Sequence, residues 1–165
     1  VYPSFMRILG VDPGLDATGY GLIETGNGGG PKLIEAGLIR THKSQSLSDR
    51  LASVEKQLTV IIKQHRPEAM AVEDLYSYYK TPKPAILMGH VRGVILATAA
   101  VIQVKVASYL PTRIKRAVAG QGHASKQQVA RMVQMLLGLP NKQVPPDVTD
   151  ALAAALCHAG TLRQK

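Results

Sequence analysis

Two acidic residues stand at the ends of apolar segments that have the composition of buried strands. Asp12 follows the apolar run 7–11 and opens an Asp-Pro-Gly turn. Glu73 closes a second apolar run, 69–73. A carboxylate fixed at the end of a rigid strand is a good metal ligand, although an aspartate that merely forms the turn is the simpler interpretation of Asp12 taken alone. The other acidic residues have to decide between these two interpretations.

Two more carboxylates begin the last predicted helix, which is rich in alanine. Asp147 and Asp150 are three residues apart, so in a first helical turn they project from nearly the same face. A capping role would explain Asp147 but would leave Asp150 unexplained. Four carboxylates without a convincing His or Cys cluster form a set of hard oxygen ligands, which favours Mg²⁺ or Mn²⁺.

The elements that must position these acids alternate as in an α/β domain. The sequence predicts strands 7–11, 18–24 and 32–40, helix 46–65, strand 69–73, helix 85–102, strand 104–107, and helices 111–119, 125–137 and 145–160. The first three strands have short links and should form an antiparallel meander. The fourth is entered through a helix and should lie parallel to the first. Asp12 and Glu73 would then meet at one edge of the sheet.

Glycine and alanine in these segments predict close packing. Gly19 and Gly21 interrupt the second strand, which is typical of a strand approached closely by a neighbour or a ligand. The alanines that follow Asp150 would let the last helix come close to the sheet.

Positive charge is concentrated in one part of the chain. The net charge is +9, yet the segment 75–146 contains no Asp or Glu. Its ten basic residues are Lys80, Lys83, Arg92, Lys105, Arg113, Lys115, Arg116, Lys126, Arg131 and Lys142. A basic segment flanked by acidic residues predicts that the protein binds a polyanion. Nucleic-acid binding is favoured over the alternative that the basic surface is merely solvated.

The helix predicted at 85–102 is apolar around most of its circumference. A membrane span is disfavoured, because the central Arg92 would cost roughly 2.5 to 3.5 kcal/mol in a bilayer. A helix of this kind needs a second surface against it. We expect a partner subunit in a twofold dimer, with burial inside the domain as the alternative.

Length and composition favour one domain over residues 1–165, without repeats. Met6 is a candidate start, with residues 1–5 then an extension. The single cysteine, Cys157, excludes an internal disulfide and favours a reducing compartment, so we expect a cytoplasmic protein. No signal peptide is expected at the first residues.

Five motifs carry a resemblance to a known family. They are GVDPGxxxTGYG at 10–21, the Glu of AVEDLYSYYK, MGHVRG at 88–93, GQGHASKQQV at 120–129 and PPDVTDALAAALCH at 145–158. Together they resemble the RuvC family of Holliday-junction resolvases over about residues 6–160. The resemblance implies a ribonuclease-H-like fold with a five-stranded mixed sheet flanked by helices. It also implies a homodimer that cuts paired strands of a four-way DNA junction and leaves 5′ phosphate and 3′ hydroxyl ends.

The resemblance also implies site residues. The catalytic and metal-binding acids would be Asp12, Glu73, Asp147 and Asp150, holding two Mg²⁺ ions, for which Mn²⁺ can substitute. Lys126 would contact the scissile phosphate. The expected DNA contacts are Tyr76, Lys80, Lys83, Arg113, Lys115 and Arg116.

The segment after the fourth strand departs from the family pattern. Tyr76 stands where the family commonly has Phe, and the prolines of loop 78–84 depart from the usual family pattern, in the segment expected to contact the junction centre. We predict that Tyr76→Phe cuts junctions nearly normally. Tyr76→Ala should bind with a modest loss of affinity and cut about tenfold more slowly or worse, because base stacking is lost. A further partner implied by the family is a branch-migration helicase of the RuvA and RuvB type.

Two other functional classes stay open from the sequence alone. One is a non-catalytic module that binds junctions through the basic segment. The other is a phosphotransferase lobe of the actin and sugar-kinase fold, whose phosphate loop the Asp-Pro-Gly turn also resembles. That fold needs two lobes, and 165 residues supply one.

Overall fold

The computed structural model describes residues 5–26, 29–75, 82–140 and 143–162. Within these ranges the elements are β1 (Phe5–Asp12), β2 (Ala17–Gly26), β3 (Lys32–Arg40), α1 (Leu47–His65), β4 (Ala69–Glu73), α2 (Pro82–Val101), β5 (Lys105–Tyr109), α3 (Pro111–Ala119), α4 (Lys126–Leu136) and α5 (Pro146–Leu162). The strands form one sheet in the order β3-β2-β1-β4-β5. The meander of β1 to β3 is antiparallel, while β4 pairs in parallel with both β1 and β5. The predicted mixed sheet of five strands is confirmed.

The two faces of the sheet carry different helices because side chains alternate along each strand. On one face, Ile8 and Ile23 pack in a core with α3, α4 and α5. On the other face, Leu9, Val11 and Leu22 pack with α1 and α2. Both faces are therefore covered, and the carboxyl ends of β1 and β4 are left as the open edge.

Three glycines allow α5 to lie directly on β1 and β2. A Cβ atom at Gly19 would collide with the carbonyl oxygen of Asp147, and one at Gly10 would collide with that of Ala151. At Gly21 the collision would be with the side chain of Leu152. The close neighbour predicted from the glycines of the second strand is thus α5.

Helix α2 begins at Pro82, three residues earlier than the sequence predicted, and by length and composition it could cross a membrane. Its inner stripe, Val91, Ile95, Thr98 and Ala99, is buried in the core with α1 and the sheet. Its outer stripe is exposed and consists of Ile86, His90, Gly93, Ala97, Ala100 and Val101. The apolar surplus predicted for this helix is therefore real within the described residues, with the small residues Gly93, Ala97 and Ala100 between the larger Ile86 and Val101.

Candidate active site

The four acidic residues singled out from the sequence line one cavity of about 480 Å³ at the open edge of the sheet. The rest of its lining is Pro13, Gly14, Ala17, Asp74, Leu75, Met88, Pro111 and Lys126. The chain therefore brings carboxylates from β1, β4 and α5 together, although up to 138 positions separate Asp12 from Asp150 in the sequence. The expectation that one sheet edge collects them is met by the geometry.

Strand register places the first two acids side by side. Val11 of β1 pairs in parallel with Val72 of β4, so the next residues, Asp12 and Glu73, end neighbouring strands at the same level. Both carboxylates are partly buried. Thr18 holds the turn that follows Asp12, because its Oγ1 donates to the carbonyl of Gly14 at 2.7 Å.

The start of α5 supplies the other two acids. The carbonyl of Pro145 accepts hydrogen bonds from the amides of Val148 and Thr149, at 3.0 and 3.1 Å, so the helix is already formed at Asp147. Asp147 consequently lies inside the first turn, and the capping role considered for it is wrong. Asp147 and Asp150 both line the cavity.

Burial and mutual repulsion disfavour the charged state of the innermost carboxylates. Burial, with the charges of Asp150, Asp147 and Glu73, raises the pKa of Asp12 to about 7, against a smaller opposing effect of Lys126. Burial, and then Asp150, also raises the pKa of Glu73. A site that concentrates negative charge in this way is chemically suited to a hard divalent cation, which would offset the repulsion.

The carboxylates do not, however, form a finished coordination sphere. Among the residues that the structure describes, no three Asp, Glu, His or Cys side chains converge as a preformed metal-binding group. Asp150 has a partner within the chain, since Nζ of Lys126 donates to its Oδ2 at 3.1 Å. The donor set fits a cation by its chemistry, and its members share the walls of one cavity.

The two predicted lysines flank the acids. Lys126 lies at the first turn of α4 and its side chain is 79% exposed. Its pKa is raised, chiefly by the charge of Asp150, so that it keeps its proton. Lys115 and Lys126 line a smaller adjoining cavity of about 140 Å³ together with Glu73 and Asp150. A positive rim therefore lies next to the acidic pocket.

The remaining predicted DNA contacts are more scattered. Arg113 stacks its guanidinium over the ring of Tyr109 at 5.1 Å, and it is exposed, as is Arg116 on the same helix. Lys83 is exposed in the first turn of α2. Tyr76 and Lys80 lie outside the described residues. Neither Arg113, Arg116 nor Lys83 is part of the cavity lining.

Two polar groupings around the site were not predicted. Arg92 of α2 turns its guanidinium to the end of β4 and pairs with Asp74 at 2.7 Å. The hydroxyl of Tyr109 makes a 2.6 Å hydrogen bond with Nδ1 of His158, which joins β5 to α5. A charged residue in an apolar helix was the signal available for Arg92, but no sequence pattern indicates its partner.

Known proteins match the chain along nearly its whole length. Residues 8–158 match the family described as crossover junction endodeoxyribonuclease RuvC. The chain belongs to the RuvC family. The curated RuvC of Moorella thermoacetica is 47% identical over 154 residues, which cover 93% of this chain and 91% of that protein. For the RuvC of Caldicellulosiruptor saccharolyticus the identity is 42% over 153 residues, with 93% and 92% covered.

Solved RuvC structures have the same fold. Thermus thermophilus RuvC in complex with Holliday junction substrate superposes with a TM-score of 0.90 at 33% identity and covers 96% of each chain. The yeast mitochondrial Holliday junction resolvase shares the fold, with a TM-score of 0.67 at 15% identity. The superposition covers 99% of this chain and 80% of the yeast chain. The resemblance to RuvC and the fold predicted from the motifs are confirmed.

Proposed function

We propose that this protein resolves four-way DNA junctions by hydrolysing one phosphodiester bond in each of two paired strands, leaving 5′ phosphate and 3′ hydroxyl ends. The observation that carries this proposal is the meeting of Asp12, Glu73, Asp147 and Asp150 in one cavity, in a chain that belongs to the RuvC family. A module that only binds junctions would gain nothing from four carboxylates facing bound phosphates, because they repel DNA.

Asp12, Glu73, Asp147 and Asp150 would hold the divalent cations. When bound, such cations supply charge that polarises the phosphate and lowers the pKa of a water molecule. We propose two Mg²⁺ ions, with Mn²⁺ able to substitute, because hard carboxylate oxygens suit both. The raised pKa values of Asp12 and Glu73 support this proposal, since burial and mutual repulsion disfavour their charged forms and a bound cation would offset both effects.

The chain's own groups would bind and orient the phosphate. Lys126 is exposed and protonated at the mouth of the cavity, so it can leave Asp150 for a phosphate oxygen and stabilise charge that develops there. Lys115 offers a second cation on the Glu73 side. Leu75, Met88 and Pro111 form the apolar part of the cavity wall.

We further propose a homodimer formed through the exposed stripe of α2. Gly93 and Ala97 leave this surface open, and a Cβ atom added to Gly93 would meet nothing within 4 Å. Small residues allow two helices to pack closely, which suits a twofold contact. Two subunits would provide the two active sites that paired cutting requires.

The wider setting is inferred from the family and the composition. We propose a cytoplasmic location, in keeping with the single, buried Cys157. A branch-migration helicase of the RuvA and RuvB type is the proposed further partner.

The proposed function is tested by incubating the protein with an end-labelled four-way junction and with a linear duplex of the same sequence, with and without Mg²⁺. We expect symmetric nicks in the junction and none in the linear duplex. The nicks should form only when Mg²⁺ is present, and the product ends should be ligatable. Tight junction binding without any cleavage in Mg²⁺ or Mn²⁺ would instead support the binding module.

A further inference from the structure

The guanidinium of Arg92 joins three parts of the molecule at the edge of the active site. Its Nη2 donates to Oδ1 of Asp74 at 2.7 Å and to Oγ of Ser108 at 2.8 Å. Its Nε donates to the backbone carbonyl of Glu73 at 3.4 Å. One side chain from α2 thereby reaches the last residue of β4, the residue after it, and β5.

The burial of the Arg92 side chain makes these hydrogen bonds energetically important. The side chain is 17% exposed, although it belongs to a helix that is otherwise almost uncharged. A charge that is largely withdrawn from water needs its partners, and charge-assisted hydrogen bonds are about twice as strong as neutral ones. In the sequence Arg92 is one of ten basic residues in the segment 75–146, whereas the structure shows the three acceptors that hold its guanidinium.

These hydrogen bonds lie at the carboxyl end of β4. Glu73 is the last residue of β4, and the backbone amide of Asp74 donates to the carbonyl of Tyr109 at 2.9 Å, which ends the pairing with β5. Arg92 holds the carbonyl of Glu73 and the carboxylate of Asp74 on the α2 side of the same junction. The direction of the Glu73 side chain depends on this stretch of backbone.

We propose that Arg92 is a positioning residue, which fixes the Glu73 carboxylate in the cavity and couples it to α2, the helix whose outer stripe is the proposed subunit contact. This inference rests on the proposed function. Arg92 does not itself line the cavity, and it would act through the backbone of Glu73.

The test compares Arg92→Ala, Arg92→Lys and Ser108→Ala with the wild-type protein. A lysine keeps the charge but cannot serve three acceptors in the fixed geometry of a guanidinium. Ser108→Ala removes one acceptor and leaves the charge pair, so it should fold normally. Arg7→Lys is the matched control, since Arg7 also pairs with a carboxylate, Glu24, and a backbone carbonyl, at the opposite end of β1.

Two quantities are measured for each protein. One is the binding isotherm of Mn²⁺ to the DNA-free protein by calorimetry, and the other is the single-turnover rate of junction cleavage at saturating protein. For Arg92→Ala we expect weaker Mn²⁺ binding and a rate about tenfold to a hundredfold lower, because a small displacement of a catalytic group has such an effect. Junction affinity without metal should stay within about twofold, since phosphate contacts set it.

Chemical rescue separates positioning from general destabilisation. Guanidinium chloride, below the concentration that unfolds the protein, should partly restore the rate of Arg92→Ala, and NaCl at the same ionic strength should not. Arg92→Lys and Ser108→Ala should show smaller losses in the same direction, and Arg7→Lys should change thermal stability alone.

The inference is overturned if Arg92→Lys and Ser108→Ala, both folded, match the wild type in Mn²⁺ binding and rate. It is also overturned if Arg7→Lys loses as much as Arg92→Ala. A wild-type protein that neither binds Mn²⁺ nor cuts junctions would overturn the proposed function itself, which distinguishes the two failures.

Discussion

The backbone of Asp147 lies directly on Gly19, where a methyl group would collide with the Asp147 carbonyl oxygen. Gly19 is also the strand partner of Asp12. The absence of a side chain at Gly19 therefore lets the helix acids approach the strand acid closely. Helix packing and the geometry of the active site depend on the same contact.

Gly19→Ala should push the start of α5 away from the sheet. We expect a loss of about 1 to 3 kcal/mol in the free energy of unfolding, which is typical of overpacking. Cleavage should be lost more completely than junction binding, since the acids separate while the basic surface remains. Thermal melts and single-turnover cleavage measure the two effects.

Gly30→Ala is the control for Gly19→Ala, because a Cβ atom at Gly30 meets nothing within 4 Å. It should change neither stability nor cleavage appreciably. A Gly19→Ala protein with wild-type cleavage would show that α5 can shift without harm to the site.

Stability without metal should depend on pH through Asp12. Its pKa rises from 3.8 to about 7 on folding, chiefly through burial, so between these values the native state binds more protons than the unfolded state. Stability should therefore fall as pH rises from about 4 to 7, by an amount on the order of 2 to 4 kcal/mol. Asp12→Asn should flatten this profile and be more stable than wild type at pH 8 in EDTA.

Thermal melts across this pH range in EDTA, and again in Mg²⁺, check the prediction. Mg²⁺ should raise the melting temperature of the wild type more at pH 8 than at pH 5, since protons compete for the carboxylates, and should raise that of Asp12→Asn much less. Equal dependence of stability on pH in the two proteins would mean that folding does not raise the pKa of Asp12.

Lys126→Gln should slow cleavage about tenfold to a hundredfold at saturating protein, as expected when a group that stabilises developing charge is removed. It should also destabilise the metal-free protein at neutral pH, because Lys126 offsets the repulsion around Asp12. Lys56→Gln, an exposed lysine on α1, is the control. If saturating protein restores the full rate, Lys126 serves DNA affinity alone.

The exposed stripe of α2 is tested by Ala97→Glu. Ala97 is exposed, so the variant should fold normally, but a charge there should prevent the proposed twofold contact and yield monomers with unpaired nicks. Val91 of the same helix is fully buried, and a charge there would instead disrupt the core. Gln57→Glu, on the face of α1 away from α2, is the control.

Sedimentation at micromolar concentration, without DNA, measures the effect of Ala97→Glu. A wild-type protein that is already monomeric there would contradict the interface. So would an Ala97→Glu protein that remains a dimer.

Local patterns predicted most of the fold and the four acids. Apolar runs ended by turn residues defined β1 and β4, and the rule that parallel strands share an edge placed Asp12 beside Glu73. The bonds of Arg92, the contact of Lys126 with Asp150 and the burial of Val91 could not be predicted. They depend on the rotation of a helix and on side-chain partners distant in the sequence, and helical periodicity in an all-apolar segment does not determine that rotation.

Catalysis by the four carboxylates that meet in one cavity is decided by one variant, Asp12→Asn. The measurement is its single-turnover cleavage of an end-labelled four-way junction in Mg²⁺, with binding measured on the same samples. We expect no cleavage, and binding at least as tight as that of the wild type in the absence of metal, because one charge that repels phosphate is gone. Cleavage by Asp12→Asn at the wild-type rate would show that these carboxylates do not catalyse the reaction.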